Sequence, residues 1–295
     1  MKVYVTGATG FVGGHVAREL RAHGADVCDE RVDLLDRDGL ARVIEGCEAV
    51  VHVAALYSYD LPANAIERVN VEGTRRLIEV AQERGVRRIV HTSTAGTCGP
   101  VPGRAATEAD AAPPWELAVP YKRTKLEAEG LALAAGAVVV NPTTPVGDGD
   151  RKPTPTGRMI RAVARGKIRA YVATTGLNIV DVRDVARGHV LALEHGKAGE
   201  RYLLGGANMP LAELFAAIAD LAGRPRPRVR VPYPVAVGAG RLGLVNRDEV
   251  RLARLPMYFS SERAEAELGY RRGPVAPALA RAVTEAVSLN GPPRR

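Results

Sequence analysis

Short, almost unbroken apolar runs alternate with amphipathic stretches through the first half of the chain. The runs fall at Val3 to Thr6, Ala49 to Val53, Arg88 to Thr92 and Ala137 to Asn141, and stretches of helical period lie between them, such as Val12 to His23 and Val69 to Arg84. Runs such as VVHVA and AVVVN lack the polar alternation of a half-exposed strand, so they read as strands covered on both faces. Strand and helix in this rhythm predict an α/β fold, a Rossmann-like doubly wound parallel sheet. Only a few residues separate AHGADVC from VDLLD, whereas a parallel crossover needs about a dozen or more. The sheet should therefore have a reduced edge, with one strand and its helix missing or shortened and the adenine side of any dinucleotide site unusually open.

Beyond Asn141 the rhythm breaks into NPTTPVGDGDRKPTPTGR, whose Pro, Gly and Thr content predicts loop. A strand-like NIVDV follows at Asn178, then a helix to about His195. The expected division is a dinucleotide-binding region over 1–150 with a returning segment near 176–195, and a smaller substrate-binding region over 151–175 and 196–295. Within the latter, Val231 to Val245 is the segment best suited to peripheral membrane contact, although its apolar content is expected to be buried or to form a lid.

Composition narrows the class. With 46% hydrophobic and 25% charged residues the chain is globular in type, and 4% aromatics provide poorly for base stacking. The net charge of +8 is spread among acids instead of gathered into runs, which argues against nucleic acid and suits phosphate-bearing ligands. Cys28, Cys47 and Cys98 share no metal or redox spacing, so reduced, partly buried thiols and a cytoplasmic setting are expected. The start MKVYVTGATG enters a strand at once, without a leader pattern, and no apolar stretch reaches the ~18 residues of a membrane span. Stable membrane insertion is not expected.

The glycines of TGATGFVG follow the first strand and open the first helix. Gly7 permits the tight turn, Gly10 lets backbone approach a pyrophosphate, and Gly13 lets the helix pack closely. The helix start at Phe11 and Val12 then offers free N–H groups to phosphate. After the second strand come Asp33 and Leu34; Asp33 suits an acceptor for the adenine amino group, or else a cap for the following helix. Val53, Ala54 and Ala55 end an apolar strand with side chains short enough for a cofactor to lie against, or are simply core. Asn70 is either an unremarkable helix residue or a buried amide bridging strands. Counting from Gly7 puts Arg31 where a ribose-binding acid would stand in an NAD enzyme, and arginine there can pair with the NADP 2′-phosphate. The cofactor expected is NAD(P), with Arg31 favouring NADP; Asp29 and Glu30 beside it, or a merely solvated Arg31, are the alternatives. Tyr121 and Lys125 in YKRTK share one helix face. A cation near a phenol lowers its pKa toward use as an acid or base, and the TST at Thr92 to Thr94 offers hydroxyls for a substrate carbonyl.

TGATGFVG, the DL at Asp33, HVAA, NVEGT, TSTAGTCG, YKRTK and NPTTPVG occur in the order seen in extended short-chain dehydrogenases, the epimerase and dehydratase superfamily. RKPTPTGRMI, TGLNIVDVRDVARGHVLALEHG, GERYLLGG and MYFSSERAEAELGY resemble the hopanoid-associated sugar epimerase group, close to dihydroflavonol reductases. The resemblance spans nearly the whole chain. It implies Tyr121 as acid or base, Lys125 on the nicotinamide ribose, Thr94 as the substrate hydroxyl, and Pro142 and Thr143 beside the nicotinamide. Thr94 is preferred to its neighbour Ser93 because it stands five residues before Gly99. Dehydratases carry carboxylates after that hydroxyl and one epimerase type a cysteine two places on. Ala95 and Gly96 stand there instead, with Cys98 displaced into a packing role. Hydride transfer at a secondary alcohol or ketone of a small molecule is the expected reaction, with nucleotide-sugar epimerisation as the alternative and non-catalytic dinucleotide sensing as a third reading. A homodimer through the helices bearing Asn70 and Tyr121 is also implied.

Overall fold

A computed structural model describes residues 1–57 and 61–288. The strands are β1 Lys2–Thr6, β2 Asp26–Cys28, β3 Ala49–His52, β4 Arg88–Thr92, β5 Val138–Pro142, β6 Thr144–Val146, β7 Ala170–Val172, β8 Gly176–Asp181, β9 Arg201–Leu204, β10 Ala207–Pro210 and β11 Val229–Val231. Six of them form a parallel sheet ordered β2-β1-β3-β4-β5-β9. Successive residues of β1 bury on opposite faces: Val3 and Val5 pack with Val16, Leu20, Val51 and Val140, while Tyr4 packs with Leu40, Ile44, Val50 and Leu77. That two-sided burial is why the strands show no alternation.

The helices before the catalytic region are α1 Phe11–Ala22, α2 Arg37–Ile44, α3 Ala63–Glu67 and α4 Gly73–Glu83. Between α3 and α4 the backbone widens into a π turn over Arg68–Glu72, so the helix expected from Val69 to Arg84 begins in this bulge, which contains Asn70, and continues as α4. α2 carries the chain from β2 across β1 to β3. Among the described residues no strand lies beyond the three-residue β2, which is the reduced edge anticipated from the short connection.

Two further helices, α5 Pro114–Leu117 and α6 Pro120–Ala134, precede β5; then follow α7 Pro155–Ala164, α8 Val182–His195, α9 Leu211–Leu221, α10 Tyr233–Arg241, α11 Arg247–Leu252, α12 Glu262–Leu268 and α13 Val275–Ser288. The segment expected to be loop after Asn141 is largely ordered. Thr144–Val146 pairs with β8 in a second sheet, β10-β8-β6, and the Pro-Thr run starts α7, where Thr154 accepts from the Gly157 N–H and Pro155 takes the first helical position. β9 also lies past residue 195 yet continues the main sheet beside β5, so residues 196–295 are not all in the smaller region. That region has its own core of Ile160, Ile179, Leu214, Ile218, Leu279 and Val283. The apolar Val231 to Val245 segment is not buried as a whole: Ala236 and Gly240 pack inward, while Val235, Leu242, Leu244 and Val245 face solvent.

Candidate active site

In a parallel sheet the carboxyl ends of all strands lie at one edge, and the crevice opens where the chain reverses its direction of travel across the sheet. Here that point is between β1 and β3, because β2 lies on one side of β1 and β3 on the other. Gly7 to Gly13 follow β1, Val53 to Ala55 follow β3, Thr94 follows β4, and Pro142 ends β5. The topology thus collects most of the expected site residues at one edge.

The glycine turn has the shape the sequence requires. Gly7 adopts φ +69°, and a Cβ there would meet the Ala54 backbone at 2.9 Å. A Cβ on Gly13 would lie 2.2 Å from the Gly7 carbonyl oxygen, whereas on exposed Gly10 it would meet that same oxygen at 3.1 Å and nothing else within 4 Å. No side chain caps α1 at Gly10, and no acid occupies its first turn. An uncapped helix end beside an open, Cβ-free surface fits a dinucleotide pyrophosphate. Phe11 stacks edge-on against His15, and Val12 packs toward the sheet.

At the adenine side, Leu34 is buried against Gly73 at the start of α4. Asp33 is exposed, and its carboxylate accepts from the Leu35 N–H; the cap of α2 is Asp36, not Asp33. Asp29 pairs with Arg21 at 2.7 Å, and Glu30 forms a two-pronged pair with Arg42 that holds its carboxyl below the usual range. Arg31, next in the chain, is exposed.

A buried relay fixes the end of β3. Thr74 donates to the Asn70 carbonyl, which leaves its oxygen to accept from His52 Nε2; Thr6 then donates to His52 Nδ1 and accepts from the Val53 and Ala54 N–H groups at 3.0 Å. Burial and the Lys125 charge push the His52 pKa down to about 3, consistent with a neutral ring. The Asn70 amide is a bridge, but between the loop after β3 and α6 and not between strands. It accepts from Leu56 N–H, donates to Leu56 carbonyl and donates to Thr124 on α6, whose hydroxyl donates to the Tyr121 carbonyl.

Tyr121 and Lys125 are both buried on α6. Lys125 Nζ donates to the Thr92 carbonyl at 2.6 Å, tying the helix to the end of β4. Burial lowers its pKa to about 8, with the nearby Glu129 carboxylate opposing the shift. The phenol does not follow the expectation that lysine would draw its pKa down: burial, and then the adjoining Tyr57, whose ring centroid is 4.4 Å away, raise it. With its pKa raised, the Tyr121 phenol stays protonated at neutral pH.

Ser93 and Thr94 separate clearly. The Ser93 hydroxyl donates to the buried Glu129 carboxylate, which also accepts from Thr97 at 2.7 Å and Asn141 at 2.8 Å and pairs with Arg201 at 2.8 Å. The half-buried Thr94 instead accepts from the Gly96 N–H, and its carbonyl accepts from Asn141. Sequence reasoning did not find Glu129 or Arg201; no local motif marks a pair 72 residues apart. The space a residue-96 side chain would fill is taken by the arm of Lys122, which pairs with the fully buried Glu116 at 3.2 Å. Cys98 is packed with Ala95, Ala106, Leu203 and Phe259. Pro142 is buried, and Thr143 donates to Asn178 Oδ1 at 2.8 Å.

Residues 3–205 match the family model for the NAD dependent epimerase/dehydratase family. A putative dihydroflavonol 4-reductase from Synechocystis is 37% identical, covering 95% of this chain and 93% of its own length. The chain belongs to the NAD-dependent epimerase/dehydratase family. Another member, the sterol demethylase protein B of Methylococcus capsulatus, is 32% identical over 91% of this chain and 93% of its own. A nucleoside-diphosphate-sugar epimerase from Pseudomonas aeruginosa superposes with TM-score 0.84 at 26% identity, covering 98% of each chain. An epimerase/dehydratase protein of this kind is an NAD(P)-dependent enzyme, and the Rossmann-like sheet above is the family's fold.

Proposed function

We propose that the protein is an NADP-dependent reductase of a ketone on a small molecule, with Thr94, Tyr121 and Lys125 as its catalytic group. The observation that carries this reading is the Thr94-Ala95-Gly96 turn packed against α6, the helix that bears the buried Tyr121. The turn presents one hydroxyl and has neither a carboxylate nor a thiol at 95 or 96 for dehydration or epimerising acid–base work. Bound reduced dinucleotide supplies the hydride. Its pyrophosphate would rest on Gly7, Gly10, Phe11, Val12 and Gly13, and its 2′-phosphate on Arg31. Asp33 and Leu34 would flank the adenine, and Val53, Ala54, Ala55, Asn70, Pro142 and Thr143 the remainder. Thr94 donates a hydrogen bond to the substrate carbonyl, Tyr121 gives its proton to the same oxygen, and the Lys125 ammonium holds the nicotinamide ribose. The 37% identity to a protein named as a reductase supports the same direction.

A second reading, transient oxidation and return of hydride to a nucleotide sugar, is favoured by the likeness to the Pseudomonas epimerase. Net consumption of NADPH with a ketone substrate distinguishes the two. In that assay Tyr121→Phe should lower turnover about a hundredfold or more while leaving dinucleotide affinity nearly intact. Turnover near that of the wild type refutes the role of Tyr121, and substrate-dependent interconversion without NADPH consumption favours the epimerase. The α4 and α6 helices, which flank Asn70 and bear Tyr121, are the proposed homodimer contact; sedimentation of the intact protein tests it.

A further inference from the structure

The segment expected to be buried or to form a lid forms an apolar tip. On α10, Ala236 and Gly240 face the protein, whereas Val235, Gly238 and Leu242, at helical spacing, face solvent. Leu242 is 77% and Leu244 73% exposed, and Val235 and Val245 continue the same surface. Large aliphatic groups this open, clustered within eleven residues, mark an interaction surface and not ordinary scatter.

Its surroundings choose the partner. From residue 222 to 256 the chain carries eight arginines against two carboxylates, Asp248 and Glu249. Arg224, Arg226, Arg228 and Arg230 lead into α10, and Arg241 and Arg247 bracket the four-residue apolar turn; all six are exposed, Arg226 being already paired with Asp220 at 2.6 Å. An apolar protein partner would not call for that excess of cations, and nucleic acid would not call for the leucines. A lipid surface with anionic headgroups takes both, since aliphatic tips enter the acyl boundary while arginines pair with phosphate. No helix among the described residues is long and apolar enough to cross a membrane, so the contact is peripheral.

We infer that the 233–245 tip docks this protein on anionic lipid membranes. The tip is connected to the helix of Tyr121 through two intervening elements: α10 packs on α11, α11 packs on α5 with the Arg254 guanidinium 5.4 Å over the Trp115 ring, and α6 begins just after α5. Docking therefore brings the site toward the lipid surface.

Co-sedimentation with vesicles of phosphatidylcholine alone, or with about a third phosphatidylglycerol, tests this on the full chain. The wild type should pellet with the anionic vesicles only, and raising NaCl from 0.1 to 0.5 M should lower that fraction severalfold. Leu242→Glu with Leu244→Glu should lower partitioning at least tenfold, as should Arg224→Glu with Arg228→Glu. Dinucleotide affinity, read by titration, should not change in either variant. Failure of the wild type to pellet with anionic vesicles, equal binding to neutral ones, or binding undiminished in the leucine variant overturns the inference. So does a leucine variant that binds vesicles normally but has a smaller oligomer, which assigns the tip to a second copy. A variant that loses only turnover of a water-soluble ketone assigns it to a lid. Because vesicle binding is read without catalysis, its outcome is separate from that of the reductase assay.

Discussion

Gly10 and Gly13 stand three residues apart and answer to different constraints. A methyl on Gly13 would drive into the Gly7 carbonyl, so backbone must shift; Gly13→Ala should cost about 1–3 kcal/mol of stability, the range for overpacking, read as a lower urea midpoint. On Gly10 a Cβ would stand 3.1 Å from that oxygen and within 4 Å of nothing else, and its open surface is the one a phosphate would use, so Gly10→Val should abolish dinucleotide binding with a much smaller change in midpoint. If both variants lose stability equally and the Gly10 variant still binds, the loop is a turn and nothing more. Arg31 can be tested in the same way. With Asp29 held by Arg21 and Glu30 by Arg42, neither acid is offered to a ribose hydroxyl, and Arg31→Ala should weaken NADP by about 1–3 kcal/mol, the charge-assisted range, and leave NAD almost unchanged. Equal losses for the two dinucleotides would return the ribose to Asp29 or Glu30.

Helix α6 joins three constraints. Its Tyr121 carbonyl is bonded through Thr124 to Asn70, its Lys125 to β4, and its Glu129 to the hydroxyls and amide beneath the Thr94 turn. The YKRTK motif showed the outer pair of residues because helical spacing is local. Glu129 is one turn further along the same face, but its partners Ser93, Asn141 and Arg201 come from other strands, which periodicity cannot bring together. The depressed Lys125 pKa has a consequence for pH. In the free protein the ammonium is lost as pH rises through about 8, so dinucleotide affinity should fall on that alkaline limb, and Lys125→Met should remove the limb. Titration at pH 7 and pH 9 with both proteins decides it; a flat wild-type profile excludes a ribose contact that depends on the charge. For stability the sign is opposite. Between about 8 and the ordinary 10.5 the unfolded chain holds a proton that the folded one lacks, so this group's contribution to stability rises with pH across that window.

At the scale of the molecule, the six-stranded sheet was legible because its strands are buried on both faces and leave unmixed apolar runs. The smaller region was less so: β6, β7 and β11 have three residues each, too few to show a period, and the Pro-Thr run that reads as loop serves as a helix start. The exposure of Leu242 and Leu244 was illegible for another reason, since apolarity shows what burial would favour and not whether a partner within the chain is available. The ends of the sheet carry a last implication. β2 is short, with Arg21 donating to its Val27 carbonyl and charged Asp26 and Asp29 about it. At the far side the Leu203 N–H of β9 is taken by the buried Glu108 carboxylate, and Arg201 donates to the Glu108 and Asp110 carbonyls. Neither margin offers a long, flat row of free amides to a strand from elsewhere. The six-stranded sheet thus resists strand-swapped growth and edge-to-edge pairing, even while crowded with its own kind.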